Sequence, residues 1–474
     1  MTRRAFVLGA VAALLAGGAV ADRVDRPSAG LTAAAARRAL MPSAAPADAL
    51  SSSWFCVGPN ADPNSPAAGV VVMANPTDRP ATGTLTVVPT SGEPRRQAVE
   101  VPARSSLDVT VDSVGAGQYA AALVDLDAGQ VAVELVMGTA SESEATPCSS
   151  RASERWYFAD GSTAKDATLL LALFNPFPED AIVDLSFSTD QGRAAPAAFR
   201  PVVVPGRALV VKNIGEHVRR RESIATSVLV RTGRVVAAQT QVRTVAGKAG
   251  VSTALGAPSL GADWHFASGM LADGVGEHYA VYNPNRTEAA VLFRTILDEG
   301  VAEDFERTVP AQSRIDVVLN EEVGVPRGVG RSTTVQSLDG VRVVVARSLS
   351  YGPPSPLVGR TDTLGARRAA TRWAFPAGGA SETTDEYVVV SNPGSTDATL
   401  SLEGLAGAGG AAATDDFREV KVGAGRRAAV RVRDHVARNP MALVLTSSAP
   451  VVAERVLYQA SPFVVWSAAG IPLE

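Results

Sequence analysis

Residues 156–192, WYFADGSTAKDATLLLALFNPFPEDAIVDLSFSTDQG, decide how the chain is read. Residues 169–174 form a short apolar run. Residues 182–187 alternate, setting Ile182, Asp184 and Ser186 against Val183, Leu185 and Phe187. Short apolar or alternating runs bounded by turn residues read as strands. Between the two runs, Asn175-Pro176 opens a turn, because proline fixes its own φ and disfavours helix at the residue before it. A second turn follows at Asp190-Gln191-Gly192.

The same marks recur along the chain. Trp54 heads WFCVG, Trp156 heads WYFAD, Trp264 heads WHFAS and Trp373 heads WAFPA. An Asn-Pro pair follows each tryptophan, at Asn75, Asn175, Asn283 and Asn392. Val101-Pro102-Ala103, Val204-Pro205-Gly206, Val309-Pro310-Ala311 and Val422-Gly423-Ala424 come next, and a valine-rich strand closes each unit. Four marks in one order, four times, predict four tandem homologous domains. Solenoid and propeller units of roughly 20–50 residues cannot bury a core alone. A unit of about 100 residues can, and that is the scale of an immunoglobulin-like sandwich of about seven strands. The expected fold is therefore all-β: four tandem immunoglobulin-like β-sandwich domains after an N-terminal signal or anchor helix. The boundaries fall at 1–21 for the signal peptide or signal anchor and 22–53 for an Ala/Pro/Ser-rich linker. The repeats then span 54–155, 156–263, 264–372 and 373–474. Each tryptophan is expected at a core edge, where its indole N–H needs a partner.

Residues 5–21 are an uninterrupted apolar run behind Arg3 and Arg4, and Ala19-Val20-Ala21 fits a signal-peptidase site. The segment reads as a cleaved secretory signal or an uncleaved anchor, with everything from Trp54 onward extracytoplasmic. The two cysteines, Cys56 and Cys148, both fall in the first unit, and two cysteines in an exported protein usually pair. Cys56 stands two residues after Trp54, where the other units carry Phe158, Phe266 and Phe375. Cys56 is thus expected to be a buried half-cystine.

The search for chemistry is brief. A net charge of −4 argues against a nucleic-acid binder. His217, His265, His278 and His435 have no zinc-ligand spacing. No nucleophile elbow, P-loop or dinucleotide fingerprint is present. The loop at Asp160-Gly161-Ser162 lacks the spacing of a calcium loop and reads as a turn. No catalytic residue, cofactor or metal is expected. An arginine follows each third mark, at Arg104, Arg207, Arg314 and Arg426. These four read either as equivalent anion-binding spots or, preferably, as exposed residues at a hairpin start. Asn285-Arg286-Thr287 fits the glycosylation sequon, a pattern common by chance.

The W-x-F-A-(D/E)-G-S pattern of residues 156–162, followed by Asn175-Pro176, the Val-Pro turn and the VVAERV strand, resembles a family of actinobacterial exported proteins grouped as a domain of unknown function (family 5719 type). The first unit departs from it, with Cys56-Val57-Gly58 where the pattern has Phe-Ala-Asp. The resemblance implies an envelope location and sandwich domains and carries no catalytic residues.

The leading expectation is a non-enzymatic extracytoplasmic repeat protein, binding or spacing at the cell envelope, its partner an unidentified envelope protein or polysaccharide. It contacts membrane only through the N-terminal segment. The alternatives are a carbohydrate-binding module array and an accessory subunit of an envelope-assembly machine.

Overall fold

The computed structural model describes residues 42–60, 67–138, 143–245, 248–405, 419–460 and 463–473. The signal or anchor segment over 1–21 and residues 22–41 lie outside the described residues. The described strands belong to one compact unit, Met41–Glu474.

Repeat 1 sets the pattern. Its eight strands are β1 (Ser52–Pro59), β2 (Ala68–Asn75), β3 (Ala81–Pro89), β4 (Arg95–Val101), β5 (Ser105–Thr110), β6 (Tyr119–Leu126), β7 (Ala132–Gly138) and β8 (Ser143–Pro147). They form two antiparallel sheets, β1-β6-β3-β4 and β5-β2-β7-β8. One apolar cluster joins Leu85, Val87 and Val124 of the first sheet to Val71, Met73 and Val133 of the second. The alternation of the strands sends these residues to the shared face. The same order returns three times, with two local changes. Repeat 2 splits its β4 counterpart into Gly192–Ala194 and Val202–Val204, both on the strand Ala181–Thr189. In repeat 4 the single strand Ala442–Ala460 serves as both β6 and β7, running from one sheet into the other.

The four tryptophans are buried at the start of each first strand. Trp156 Nε1 donates to the Val235 carbonyl at 2.8 Å, Trp264 to Val343 at 3.0 Å and Trp373 to Val451 at 3.0 Å. Each bond ties the first sheet to the strand that opens β7 or its counterpart. Trp54 Nε1 is buried without a partner among the described residues.

The four asparagines do equal work at the turns. Asn392 Nδ2 donates to the carbonyls of Thr396 (2.8 Å), Val422 (3.1 Å) and Gly423 (3.2 Å), and its Oδ1 accepts from Gly394 N at 3.0 Å. Asn75, Asn175 and Asn283 make matching bonds four residues on, to the end of the fourth strand, and from the amide two residues on. One buried amide thus pins the β2–β3 turn to the β4–β5 turn. Asn392→Ala leaves several of these backbone groups unsatisfied and is expected to cost about 3 kcal/mol. A shift of the urea midpoint to lower concentration checks it.

Cys56 and Cys148 form a disulfide of 2.00 Å. The residues that match Cys148 in the other repeats are Gly256, Gly365 and Gly470, each one past the end of its eighth strand or counterpart. A Cβ on these glycines would lie 2.8, 2.7 and 2.9 Å from the rings of Phe158, Phe266 and Phe375. Three repeats therefore close this corner with a phenylalanine over a glycine, and repeat 1 closes it with a covalent bond.

The repeats return on themselves. β8 packs against its counterparts Lys248–Leu255 in repeat 2 and Phe463–Ala469 in repeat 4, and Gly359–Leu364 in repeat 3 touches both of those. The four eighth strands make a closed circuit. Glu144 of β8 crosses it: its carboxylate accepts from Thr253 N at 3.0 Å and from Asp362 N at 3.1 Å. Burial, with Asp362 nearby, pushes this carboxyl well above the usual range. Of the stretch read as a linker, residues 42–53 are described, and they are built into the fold. Ala44 is fully buried, its amide donates to the Pro472 carbonyl at 2.9 Å, and Ala45 accepts from Gln130 N at 2.8 Å. The chain packs here because Ala44 supplies apolar surface to the core shared by repeats 1 and 4.

Candidate functional site

The closed circuit creates four junctions between successive repeats, and each is filled differently. Equivalent residues of the repeats stand at equal distances from the buried asparagine and opposite equivalent cross-strand partners.

Between repeats 1 and 2 the contact is apolar. Val57, Val88 and Tyr119 join Leu171, Ala172 and Leu209 in one cluster. Between repeats 3 and 4, Leu349 and Tyr351 meet Val389, Val456 and Val465. Tyr387 and Tyr458 lie beside them edge to face, 5.8 Å apart.

Between repeats 2 and 3 the junction is ionic. Arg360 holds Asp160 at 2.6 Å and Asp362 at 2.9 Å. Arg314 reaches Asp160 at 3.4 Å and also pairs with Asp316, which accepts from His278 Nε2 at 2.5 Å. Burial alone would raise Asp160, but Arg360 and Arg314 overcome it and hold the carboxyl well below the usual range. The cavity left beside this cluster is about 40 Å³. A space that size holds little more than water. The cluster reads as a neutralised structural network, since each of these carboxylates already has its cation.

Two buried ion pairs repeat across the remaining seams. Arg347 of repeat 3 holds Glu454 of repeat 4 at 3.0 Å, and Arg455 of repeat 4 holds Glu134 of repeat 1 at 3.0 Å. Each glutamate also accepts a backbone amide from the loop behind the preceding tryptophan strand, Ser268 N at 3.0 Å and Ala377 N at 3.1 Å. Each arginine donates to the carbonyl of that same residue. All four side chains are fully buried. At the junction of repeats 1 and 2 the matching residues are Leu135 and Ala238.

At the junction of repeats 4 and 1, a buried apolar cluster that includes Val72, Ala145, Leu457 and Trp466 lies beside a cleft of about 250 Å³. Val72, Val136, Leu457 and Trp466 supply apolar walls, and Asp108, Thr384, Asn439 and Gln459 supply polar groups. Trp466 is nearly buried and carries the Arg455 guanidinium over its ring at 4.4 Å. The Asp108 carboxylate makes no hydrogen bond or ion pair with the described residues; the residue lines the cleft and is exposed, and partial desolvation by the cleft walls pushes its carboxyl above the ordinary range.

Behind the cleft wall sits Glu386, whose Oε2 accepts from Gly379 N at 2.6 Å and whose Oε1 is buried without a partner among the described residues. Burial pushes its carboxyl up to about 8. The folded state therefore keeps a proton that the unfolded chain releases near its ordinary value of 4.5. The stability this group contributes is complete below that value and drains away as pH rises toward 8. Glu386→Gln is expected to remove a loss on the order of 1 kcal/mol per pH unit across that window. Thermal midpoints of the two proteins measured between pH 5 and pH 9 check it.

The recurring arginines occupy three different positions rather than one. The turn that follows each fourth strand needs a residue in the left-handed region. That place is held by Arg104 (φ 49°), Arg207 (φ 54°), Gln312 (φ 54°) and Gly425 (φ 62°). Arg426 lies one residue later and Arg314 two, buried in the ionic junction. Arg104 bridges Asp78 of its own repeat and Glu403 of repeat 4. The other histidines serve packing and turns. His265 Nδ1 meets Thr334 Oγ1 at 3.0 Å, and burial lowers its pKa. His217 stands edge-on to Phe199 at 5.1 Å, and His435 ends a helical turn. Asn285, in the sequon, uses its Nδ2 to bond Asn283 Oδ1 and the Arg342 carbonyl. Among the described residues no three His, Cys, Asp or Glu side chains converge on a metal position, and no helix is long and apolar enough to cross a membrane.

Residues 127–329 match the family of unknown function DUF5719. The DUF5719 match runs from the end of repeat 1 through repeat 2 and into repeat 3, under half of the chain. No curated protein matches. Among solved structures, the crystal structure of Thermotoga maritima 1070 aligns at 17% identity and a TM-score of 0.21, over 23% of this chain and 95% of that one. The Anabaena sensory rhodopsin transducer aligns at 21% identity and a TM-score of 0.17, over 18% of this chain and 94% of its own.

Proposed function

We propose that this chain is a non-enzymatic, extracytoplasmic binding protein of an actinobacterial cell envelope, built as a ring of four immunoglobulin-like β-sandwiches. The cleft between repeats 4 and 1 carries this reading. The seam between repeats 4 and 1 holds its own apolar cluster and the Arg455–Glu134 pair, and beside them it leaves a cleft that the Asp108 carboxylate faces without a partner among the described residues. The disulfide suits an oxidising compartment. Ring closure favours binding over spacing, because repeat 4 comes back to repeat 1 instead of extending the chain. An array of carbohydrate modules is less well supported: the cleft tryptophan is nearly buried and covered on one side by Arg455, so it offers no open stacking platform.

Co-sedimentation of the purified protein with cell-envelope material, before and after stepwise removal of protein and polysaccharide, tests the reading. Binding is expected to be saturable and to fall when the cleft is filled by Val136→Trp. Binding to no fraction, or binding indifferent to that substitution, overturns the cleft as the site.

A further inference from the structure

The two polar junctions are versions of one site. In repeat 3, Asp316 faces the seam with repeat 2 and is neutralised by Arg314 and His278. Its counterpart in repeat 1 is Asp108: both stand opposite the residue three before the buried asparagine, Ala280 in one case and Val72 in the other. The surrounding positions have been stripped. Arg314 becomes Ser106 and His278 becomes Val70. Across the seam, Asp160 becomes Ala377 and Arg243 becomes Gln459. The aspartate stays while the cations that paired its counterpart are gone. A cleft of about 250 Å³ lies against Asp108, whereas the cavity of about 40 Å³ in the ionic junction is lined by Asp160, Arg243 and Asp362 and is not lined by Asp316.

We propose that the cleft between repeats 4 and 1 binds an organic cation, a guanidinium or ammonium group on a short aliphatic stem, with Asp108 as its counter-ion. The proposal rests on the binding reading above and names the chemistry of the ligand. The incoming cation stands where the Arg314 guanidinium stands in repeat 3. Its stem lies against Val72, Val136 and Leu457, which line the cleft. A carboxylate with apolar walls behind it attracts a cation more strongly than one in open water, because the walls lower the local dielectric. The volume suits one side-chain-sized group rather than a drug-sized ligand.

The test uses the full chain and named probes. Agmatine, n-butylamine and 1-butanol are titrated by calorimetry or by chemical-shift changes. Both amines are expected to bind saturably, with butanol weaker by roughly tenfold or more. Asp108→Asn should erase that preference. Ser106→Arg, which copies the arginine of repeat 3, should abolish amine binding and raise the thermal midpoint by pairing Asp108 internally. A short arginine-containing peptide separates the sources: binding far tighter than agmatine assigns a protein side chain, and equal binding assigns a free amine. Butanol binding as well as butylamine, Asp108→Asn keeping the preference, or no saturable amine binding each overturns the proposal. Envelope binding that is lost on Val136→Trp but untouched by Asp108→Asn would reject the cation and leave the cleft standing as a binding site.

Discussion

Arg455→Leu is expected to lower stability by about 3–5 kcal/mol, the usual effect of stranding one member of a buried ion pair. Glu134, fully buried, would keep the Ala377 amide at 3.1 Å and lose its only ionic partner. The damage should be local at first. Hydrogen exchange is expected to rise in residues 43–60 and 465–473, on either side of the seam between repeats 4 and 1, before it rises elsewhere. The same molecule supplies the control. Its junction between repeats 1 and 2 holds Leu135 and Ala238 at these positions. The double substitution Arg455→Leu with Glu134→Ala copies that arrangement and should recover most of the loss, since a well-packed apolar pair matches a buried ion pair in stability. If the double variant is as unstable as the single one, the pair's hydrogen bonds to the tryptophan loop outweigh its charges.

Removing the disulfide is the second large effect. Cys56 and Cys148 are 92 residues apart, and closing a loop of that length stabilises by about 4.6 kcal/mol in the chain-entropy account. Cys56→Ala with Cys148→Ala is expected to show a loss near that value, read from urea unfolding monitored in repeat 1. Cys56→Phe with Cys148→Gly rebuilds the corner as the other three repeats make it. That variant should regain the packing and not the loop entropy, and so fall between the alanine pair and the natural protein. A phenylalanine–glycine variant as stable as the disulfide form would show that the cross-link adds nothing beyond filling the corner.

The strand pattern, the recurrence and the pairing of Trp and Asn with turns were legible because they are local and periodic. Trp156, Asn175 and Phe158 each sit at a fixed offset within their own unit. What was not legible is whatever depends on one repeat meeting another. Glu134, Arg347, Glu454 and Arg455 stand in valine-rich strands that read as plain core, and only ring closure shows that their partners lie in the neighbouring unit. A charged residue inside an apolar strand was the available signal, since such a charge is buried only when paired. Arg104, Arg207 and Arg426 are exposed beside the turn that starts a hairpin, while Arg314 is buried two residues further on; the constraint at that turn is a left-handed backbone that Arg104, Arg207, Gln312 and Gly425 all satisfy. Repeat 1 has eight strands where about seven are expected; the additional one is the last, Ser143–Pro147, which packs against its counterparts in repeats 2 and 4.

Ala44 lies beside Leu473, with its amide on the Pro472 carbonyl. The beginning and end of the described fold are therefore neighbours, and the finished circle does not depend on which repeat the chain spells first. A chain opened between repeats 2 and 3, with the ends of the described fold joined by a short bridge, spells the same four seams in a different reading order. Among the described residues, the seam that no backbone crosses is the one that holds the cleft.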